Sequence, residues 1–316
     1  MSRLHRVSGR SRLGLTLSLV TALCWATLPV ALKVTLQAVD PLTLTWFRFL
    51  VAAVLTAGWL GARGRLGGLS TLGRRGGALL ALAAVMLVGN YVFYLLGVGR
   101  TSPGNAQLLI QLAPLLMALG GILVFGERFR AAQWLGLALL VAGLGLFFRD
   151  QLAHVDATPG HAGTHAYLVG SLLVVVAALV WAVYALAQKQ LLVKLGSMQI
   201  LGVIYVVATL LLWPFAHPTQ LARLDGLQWA LLAFCALNTV VAYGAFAEAL
   251  AHWEASRVSA VLAVTPLLCL GVVALVHAAW PSTLAPEPMS TVGWVGAALV
   301  VAGSTTVSLL GRRRAA

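Results

Sequence analysis

Charge is scarce in this chain, and negative charge is scarcer still. Of 316 residues only eight are acidic, and charged residues of both signs make up 9%, where a soluble domain carries roughly 25%. So few charges cannot cover a water-facing surface, which excludes an ordinary soluble globule and leaves lipid as the main outer neighbour. Cysteine is nearly absent: Cys24, Cys235 and Cys269 each lie inside an apolar run without CxxC spacing, which excludes a disulfide framework and a thiolate zinc site. His154, His161 and His165 fall near Asp156, but loop histidines among Gly and Pro read as solvated, so no metal is expected. Also missing are a GxSxG elbow, an HExxH helix, a P-loop and paired carboxylates at membrane depth, the sets that hydrolytic, metal-assisted or nucleotide-driven chemistry needs. Neither an enzyme nor a cofactor is expected, and any transport is secondary or passive.

What is present is apolar length. Hydrophobic residues make up 60% of the chain and the mean hydropathy is +0.94. A spanning helix needs about 20 predominantly apolar residues, and ten such stretches can be drawn, at approximately 13–37, 42–61, 77–99, 103–125, 131–148, 167–188, 197–216, 227–250, 256–279 and 290–311. The first run is too long for the core of a signal peptide and reads as a retained helix. The net charge of +13 does not point to nucleic acid, because the basic residues form short clusters between apolar runs instead of a stripe. With a cytoplasmic N-terminus, sixteen Lys and Arg residues lie inside and three (Arg100, Arg149, Arg223) outside. That imbalance predicts N-in, C-in and an even number of spans.

The two halves echo each other. Trp25-Ala26 precedes Lys33 as Trp181-Ala182 precedes Lys189, Leu112-Ala113-Pro114-Leu115-Leu116 parallels Val264-Thr265-Pro266-Leu267-Leu268, and Tyr91 parallels Tyr243. Gln133-Trp134-Leu135-Gly136 with Gly143 parallels Gly293-Trp294-Val295-Gly296 with Gly303, out of step by eight residues that the loop Pro281–Pro288 absorbs. Five helices per half is an odd number, so the second copy enters the membrane inverted, a recurring transporter construction. The predicted fold is an all-α polytopic membrane protein of ten transmembrane helices in two inverted repeats. Its parts are a basic cytoplasmic segment 1–12, a first repeat 13–148, an outer loop 149–166, a second repeat 167–311 and a basic tail 312–316.

These features together resemble the EamA family of the drug/metabolite transporter superfamily. The resemblance rests on the two five-helix halves, the Trp-plus-Lys pattern, Arg48 in Trp46-Phe47-Arg48-Phe49, and Gly126-Glu127 closing the fourth helix. It covers about 13–311, and implies a central cavity and export of amino acids, other metabolites or drugs. One departure stands out: at the end of the ninth helix, His277-Ala278-Ala279 stands where the first half has Gly-Glu.

Polar groups at membrane depth are costly and mark function. Trp25, Asn90, Tyr91, Tyr94, Gln107, Gln111, Trp181, Tyr184, Asn238 and Tyr243 are the candidates for a substrate cavity lined by aromatics and a few amides; for each amide, a bond between helices is an equal alternative. Lys33, Arg48 and Glu248 are the candidates for gating or coupling. Lys33 either snorkels or attracts an anion; Arg48 either pairs with Asp40, ties helix-end carbonyls or clamps a substrate carboxylate; Glu248 either pairs near the surface or carries a proton. Pro29, Pro114 and Pro266 are expected to interrupt their helices. Gly136, Gly143, Gly296 and Gly303 are expected to bring the fifth and tenth helices close together. The expected partners are a small organic substrate and the bilayer of a bacterial plasma membrane, with room for a homodimer. A lipid scramblase or flippase is the alternative function.

Overall fold

The structure, a computed structural model, describes residues 10–64, 72–125, 131–154, 163–253 and 255–310. The expectations placed on Gly126-Glu127, Asp156, His161 and the two chain ends lie outside these residues, as does the Lys189 side chain. Twelve helices follow in order: α1 (Ser11–Thr35), α2 (Pro41–Ala62), α3 (Gly73–Arg100), α4 (Pro103–Leu109), α5 (Leu112–Phe125), α6 (Ala131–His154), α7 (Gly163–Leu191), α8 (Ser197–Leu212), α9 (Gly226–His252), α10 (Ala255–Leu262), α11 (Thr265–Ala279) and α12 (Thr291–Leu310). Among the described residues there is no strand. Eight helices are long and apolar enough to cross a membrane, and Thr291–Val307 is a shorter apolar one. Large apolar side chains such as Leu172, Leu210, Leu275 and Trp280 stand exposed on the outer faces, a surface that lipid accepts and water does not. The chain is a polytopic membrane protein.

Local chemistry sets the helix starts. Asp40 caps α2, its carboxylate accepting from the amides of Leu42 (2.9 Å) and Thr43 (3.1 Å), and Pro41 takes the first position, where its missing N–H costs nothing. Ser102 and Pro103 do the same for α4. Two of the expected proline interruptions are real breaks: Pro114 and Pro266 fall in the first turns of α5 and α11, each just after a gap from the preceding short helix. A proline there has no N–H for the carbonyl one turn back, so the chain steps aside at residues 110–111 and again at 263–264. Pro29 behaves differently. It is buried inside an unbroken α1, as membrane helices tolerate when neighbours enclose the freed carbonyl. The expected outer loop 149–166 is shorter than its polar composition suggests, because α6 runs on through His154 and α7 begins at Gly163. Arg149, Asp150 and Gln151 do not break a helix, and the carboxylate of Asp150 is held by Ser290.

The helices pair across the two halves. α6 packs along α12, α3 along α7, α1 along α9 and α2 against α8, while the short α4 rests on α11 and α5 on α7. The α6–α12 seam is made by the four glycines. A Cβ on Gly143 would stand 2.6 Å from the Gly296 carbonyl oxygen, one on Gly296 2.6 Å from the Phe147 nitrogen, and one on Gly303 2.5 Å from the Gly136 carbonyl oxygen. Without a hydrophobic drive between helices in lipid, such backbone contact supplies the dispersion energy. Two larger apolar clusters fill the interior, one among α2, α3, α7 and α8 around Phe49, Tyr91 and Tyr205, the other around Leu32, Leu44, Leu108 and Phe147.

Gly296→Ala is expected to lower stability by about 1–3 kcal/mol, because backbone atoms that cannot move aside meet the new methyl. Gly145→Ala on the partner helix α6 meets nothing within 4 Å and should leave it unchanged. Thermal unfolding of the two variants in detergent checks this, and equal melting points would refute the close seam.

Candidate functional site

The Asp40–Pro41 start places Arg48 roughly 10 Å along α2 at 1.5 Å per residue, on the face that also buries Thr45, Phe49 and Ala52. Arg48 is only 3% exposed. Its Nε donates to the Cys235 carbonyl oxygen and the Thr239 hydroxyl of α9, both at 3.2 Å. Its guanidinium lies 4.7 Å from the centre of the Tyr91 ring, an attractive cation–π placement. The expected pairing with Asp40 does not occur, since that carboxylate is engaged in capping α2. Among the described residues no carboxylate forms an ion pair with Arg48.

Aromatic rings from both halves surround this charge. Tyr91, Tyr94, Tyr205 and Tyr243 all lie within its electrostatic reach. The Tyr91 hydroxyl faces Thr239 and Tyr243 within interaction range, and Tyr243 in turn faces Trp181. Phe49 packs on Tyr91 at 4.6 Å and on Tyr205 at 5.9 Å, and Trp181 meets Tyr184 edge-on at 6.4 Å. Trp25 extends the group on the other side, 5.8 Å from Tyr243 and 5.7 Å from Phe246. Polar groups therefore follow one another from Arg48 through Thr239, Tyr91 and Tyr243 to Trp181, inside a shell of rings.

The two helix breaks border this group. Tyr94 donates to the Gln107 side-chain oxygen at 3.2 Å, and Gln111, standing in the first break, donates to the Ala263 carbonyl at 3.5 Å in the second. The amide of Asn90 is occupied by the Ala177 carbonyl of α7 at 2.9 Å, and that of Asn238 by the Cys24 carbonyl of α1 at 2.8 Å. Both tie helices together. Lys33 lies against the end of α3, donating to the carbonyls of Val98 (3.0 Å), Gly99 (2.9 Å) and Thr101 (2.6 Å), where a cation also meets the negative end of the helix dipole. Glu248 is exposed and pairs with His252 on its own helix at 3.0 Å, away from the central group.

The EamA-like transporter family matches residues 12–149 and again residues 168–309. The chain belongs to that family. It is 37% identical over 302 residues to an inner membrane transporter of Escherichia coli K12, YhbE, of uncharacterised function, covering 95% of this chain and 92% of that one. It is 25% identical over 304 residues to a probable amino-acid metabolite efflux pump of the same bacterium, covering 91% and 92%. It is 28% identical over 309 residues to a probable terminal-alkyne amino-acid exporter of Streptantibioticus cattleyicolor, covering 94% of each. A crystal structure of 23% identity superposes with a TM-score of 0.63 over 96% of this chain and 100% of its own, a likeness of fold alone. Like its relatives, this EamA protein is a transporter and not an enzyme, and it is a multi-pass protein of a bacterial cell membrane.

Sequence reasoning missed three contributors to the EamA protein's polar interior. Tyr205 and Thr239 join the Arg48 group, and Glu287, from the segment between α11 and α12, lies on the start of α4. Glu287 is also the acid that the second half seemed to lack. It precedes Trp294 by seven residues, as Glu127 precedes Trp134, so spacing from the following tryptophan finds it where position at the helix end does not. Asn90→Ala and Asn238→Ala should each destabilise the protein by about 0.6–2 kcal/mol, the range for interhelical bonds in membranes. Neither should alter ligand-induced stabilisation; a lost ligand response at unchanged melting point would make that amide a substrate contact.

Proposed function

We propose that this chain is a secondary exporter of amino acids or related carboxylate-bearing metabolites, working by alternating access of two inverted five-helix halves. The observation that carries the reading is Arg48, a buried cation with no carboxylate partner among the described residues, enclosed by tyrosines at the junction of both halves. An unpaired charge in a membrane interior is costly and is retained where something needs it. A guanidinium fork suits a substrate carboxylate, which it takes with two parallel bonds. The rings of Trp25, Tyr91, Tyr94, Trp181, Tyr184 and Tyr243 would receive an apolar or aromatic side chain. Gln107 and Gln111 at the break would offer amides. The amino-acid exporters among the relatives point the same way.

Support for the inverted arrangement comes from the helix pairing. Exchanging the halves converts the α1–α9 pair into the α7–α3 pair, and leaves α2–α8 and α6–α12 as themselves. The family also matches each half separately. The ten-span reading counts α4 with α5, and α10 with α11, as one broken span each. Lipid movement draws on a different feature, an apolar groove of about 510 Å³ between α1 and α10–α11, lined by Leu19, Trp253, Val261 and Leu268 with Arg257 at its edge. That groove contains none of the tyrosine group.

Ligand stabilisation of the purified protein tests the choice, since a ligand at 100 times its Kd adds about 2.7 kcal/mol to the folded state. An aromatic or amphipathic amino acid is expected to raise the melting temperature. Arg48→Lys should abolish that rise, and Trp181→Ala should weaken it more than it lowers folded yield. Stabilisation by lipids only, untouched by either substitution, would favour the lipid reading.

A further inference from the structure

The segment Pro281–Ser290 between α11 and α12 is fastened to other elements at five of its ten residues. Gln37, just past α1, donates to the Thr283 carbonyl at 3.0 Å, and Gln151 of α6 donates to the Pro288 carbonyl at 3.1 Å. His277 Nδ1 of α11 lies 2.9 Å from the Leu284 carbonyl, and Asp150 of α6 accepts from the Ser290 amide (3.2 Å) and hydroxyl. Leu284 inserts among Ala26, Val30, Cys269 and Val273. At the centre Glu287 reaches α4, accepting from the Ser102 hydroxyl and from the amides of Gly104 (3.2 Å) and Asn105 (3.1 Å). The fit is close: a Cβ at residue 104 would stand 2.4 Å from Leu270 Cδ2 and 2.5 Å from the carboxylate oxygen, so both side chains would have to shift. A mere connection needs none of these bonds; together they describe a strap across the end of the bundle that the charge imbalance puts outside.

What the strap holds is the short half of a broken helix. α4 is seven residues long, too short to fix its own position, and it carries the Gln107 that bonds Tyr94 of the central group. Displacing α4 would therefore uncover the site from outside. We propose that Glu287 is the proton-linked latch of the outer gate, seating on α4 to close the outer end when it takes up a proton from the outer medium. This rests on the alternating-access reading above.

The groups facing Glu287 set the sign. Lys33 on α1, the Tyr167 phenol on α7 and the Cys269 thiol on α11 lie within electrostatic reach, and Ser102 bonds it from α4. On α6, Asp150 bonds Ser290 and His154 lies at Asp150. Burial raises the Glu287 carboxyl above its ordinary range and outweighs the hydrogen bonds from Ser102, Gly104 and Asn105 and the nearby Lys33, which pull it down. A carboxyl with a higher pKa when seated than when exposed holds its proton more tightly when seated. Acid therefore favours the closed latch, and the preference fades as pH rises through the seated value. In export, an outward-open carrier would close behind its released cargo by accepting a proton at Glu287.

The test uses the full chain in whole cells, with Cys24, Cys235 and Cys269 replaced and a membrane-impermeant maleimide outside. Thr101→Cys reports on the latch, being buried beside Ser102 with its hydroxyl bonded only within α3. Exposed Thr219→Cys serves as the reference that cancels the thiol's own pH response. The ratio of the two labelling rates should fall with outer pH, by up to about tenfold per unit between the exposed and seated pKa values. Glu287→Gln, which keeps the shape without the charge, should hold the ratio low at every pH. Glu287→Ala should hold it high, with Ser102→Ala, which removes one bond, lying between. A pH response that persists in Glu287→Gln, or protection that persists in both Glu287→Ala and Ser102→Ala, overturns the proposal. If these variants behave as expected but no stabilising ligand shifts the ratio in the unmodified latch, the latch stands and the alternating-access reading falls.

Discussion

A single guanidinium sets the terms for the middle of this bundle. Arg48 is held on α2 by a helix start that Asp40 and Pro41 fix, and it reaches α9 through two hydrogen bonds of 3.2 Å. Those bonds satisfy one donor; they do not neutralise the charge. The π face of Tyr91 and tyrosine dipoles on three helices add to its solvation. The rings are therefore not interchangeable apolar filling. Each is placed to make a low-dielectric interior tolerable for a cation, and on the function proposed above the same placement leaves the guanidinium receptive to an anion.

Around that centre the bundle separates rigid contacts from adjustable ones. The α6–α12 seam is backbone on backbone, with glycines that admit no side chain. The asparagine ties, Asn90 to α7 and Asn238 to α1, clamp the α3–α7 and α9–α1 pairs. By contrast α4 and α10 are short pieces cut off by the chain breaks before Pro114 and Pro266, and α4 is positioned by side chains of other elements, Glu287 above all. The proline breaks thus create the parts that can move without unfolding a long helix.

Features written in local sequence were readable there. The Asp40-Pro41 and Ser102-Pro103 starts, the glycine pairs seven apart, the lipid-facing runs and the repeated Trp, Tyr and Pro positions all depend on nearest neighbours along the chain or on simple periodicity. What escaped depends on contacts between distant segments. Asp150 and Gln151 look like loop residues until Ser290 and Pro288 are seen to hold them. Glu287 sits between two prolines in a stretch that hydropathy passes over as a spacer, and its role appears once that stretch lies on α4. Gln111 reads as a helix-face partner of Gln107, yet the break turns it toward Ala263. Glu248 drew attention as the acid deepest in a span, but its pairing with His252 keeps it on an exposed face.

The glycine seam also has a mechanical meaning. Two helices whose backbones interlock at Gly136, Gly143, Gly296 and Gly303 cannot slide along one another without steric collision at every notch. They can still tilt about their line of contact. A pair that resists shear but permits rotation is an axle, and because α6 and α12 each close one half of the chain, the rocking of the halves proposed above would be constrained to a single arc. Cargo size would then follow from how far that arc opens, a length set by the notches of four glycines remote from any group the cargo touches.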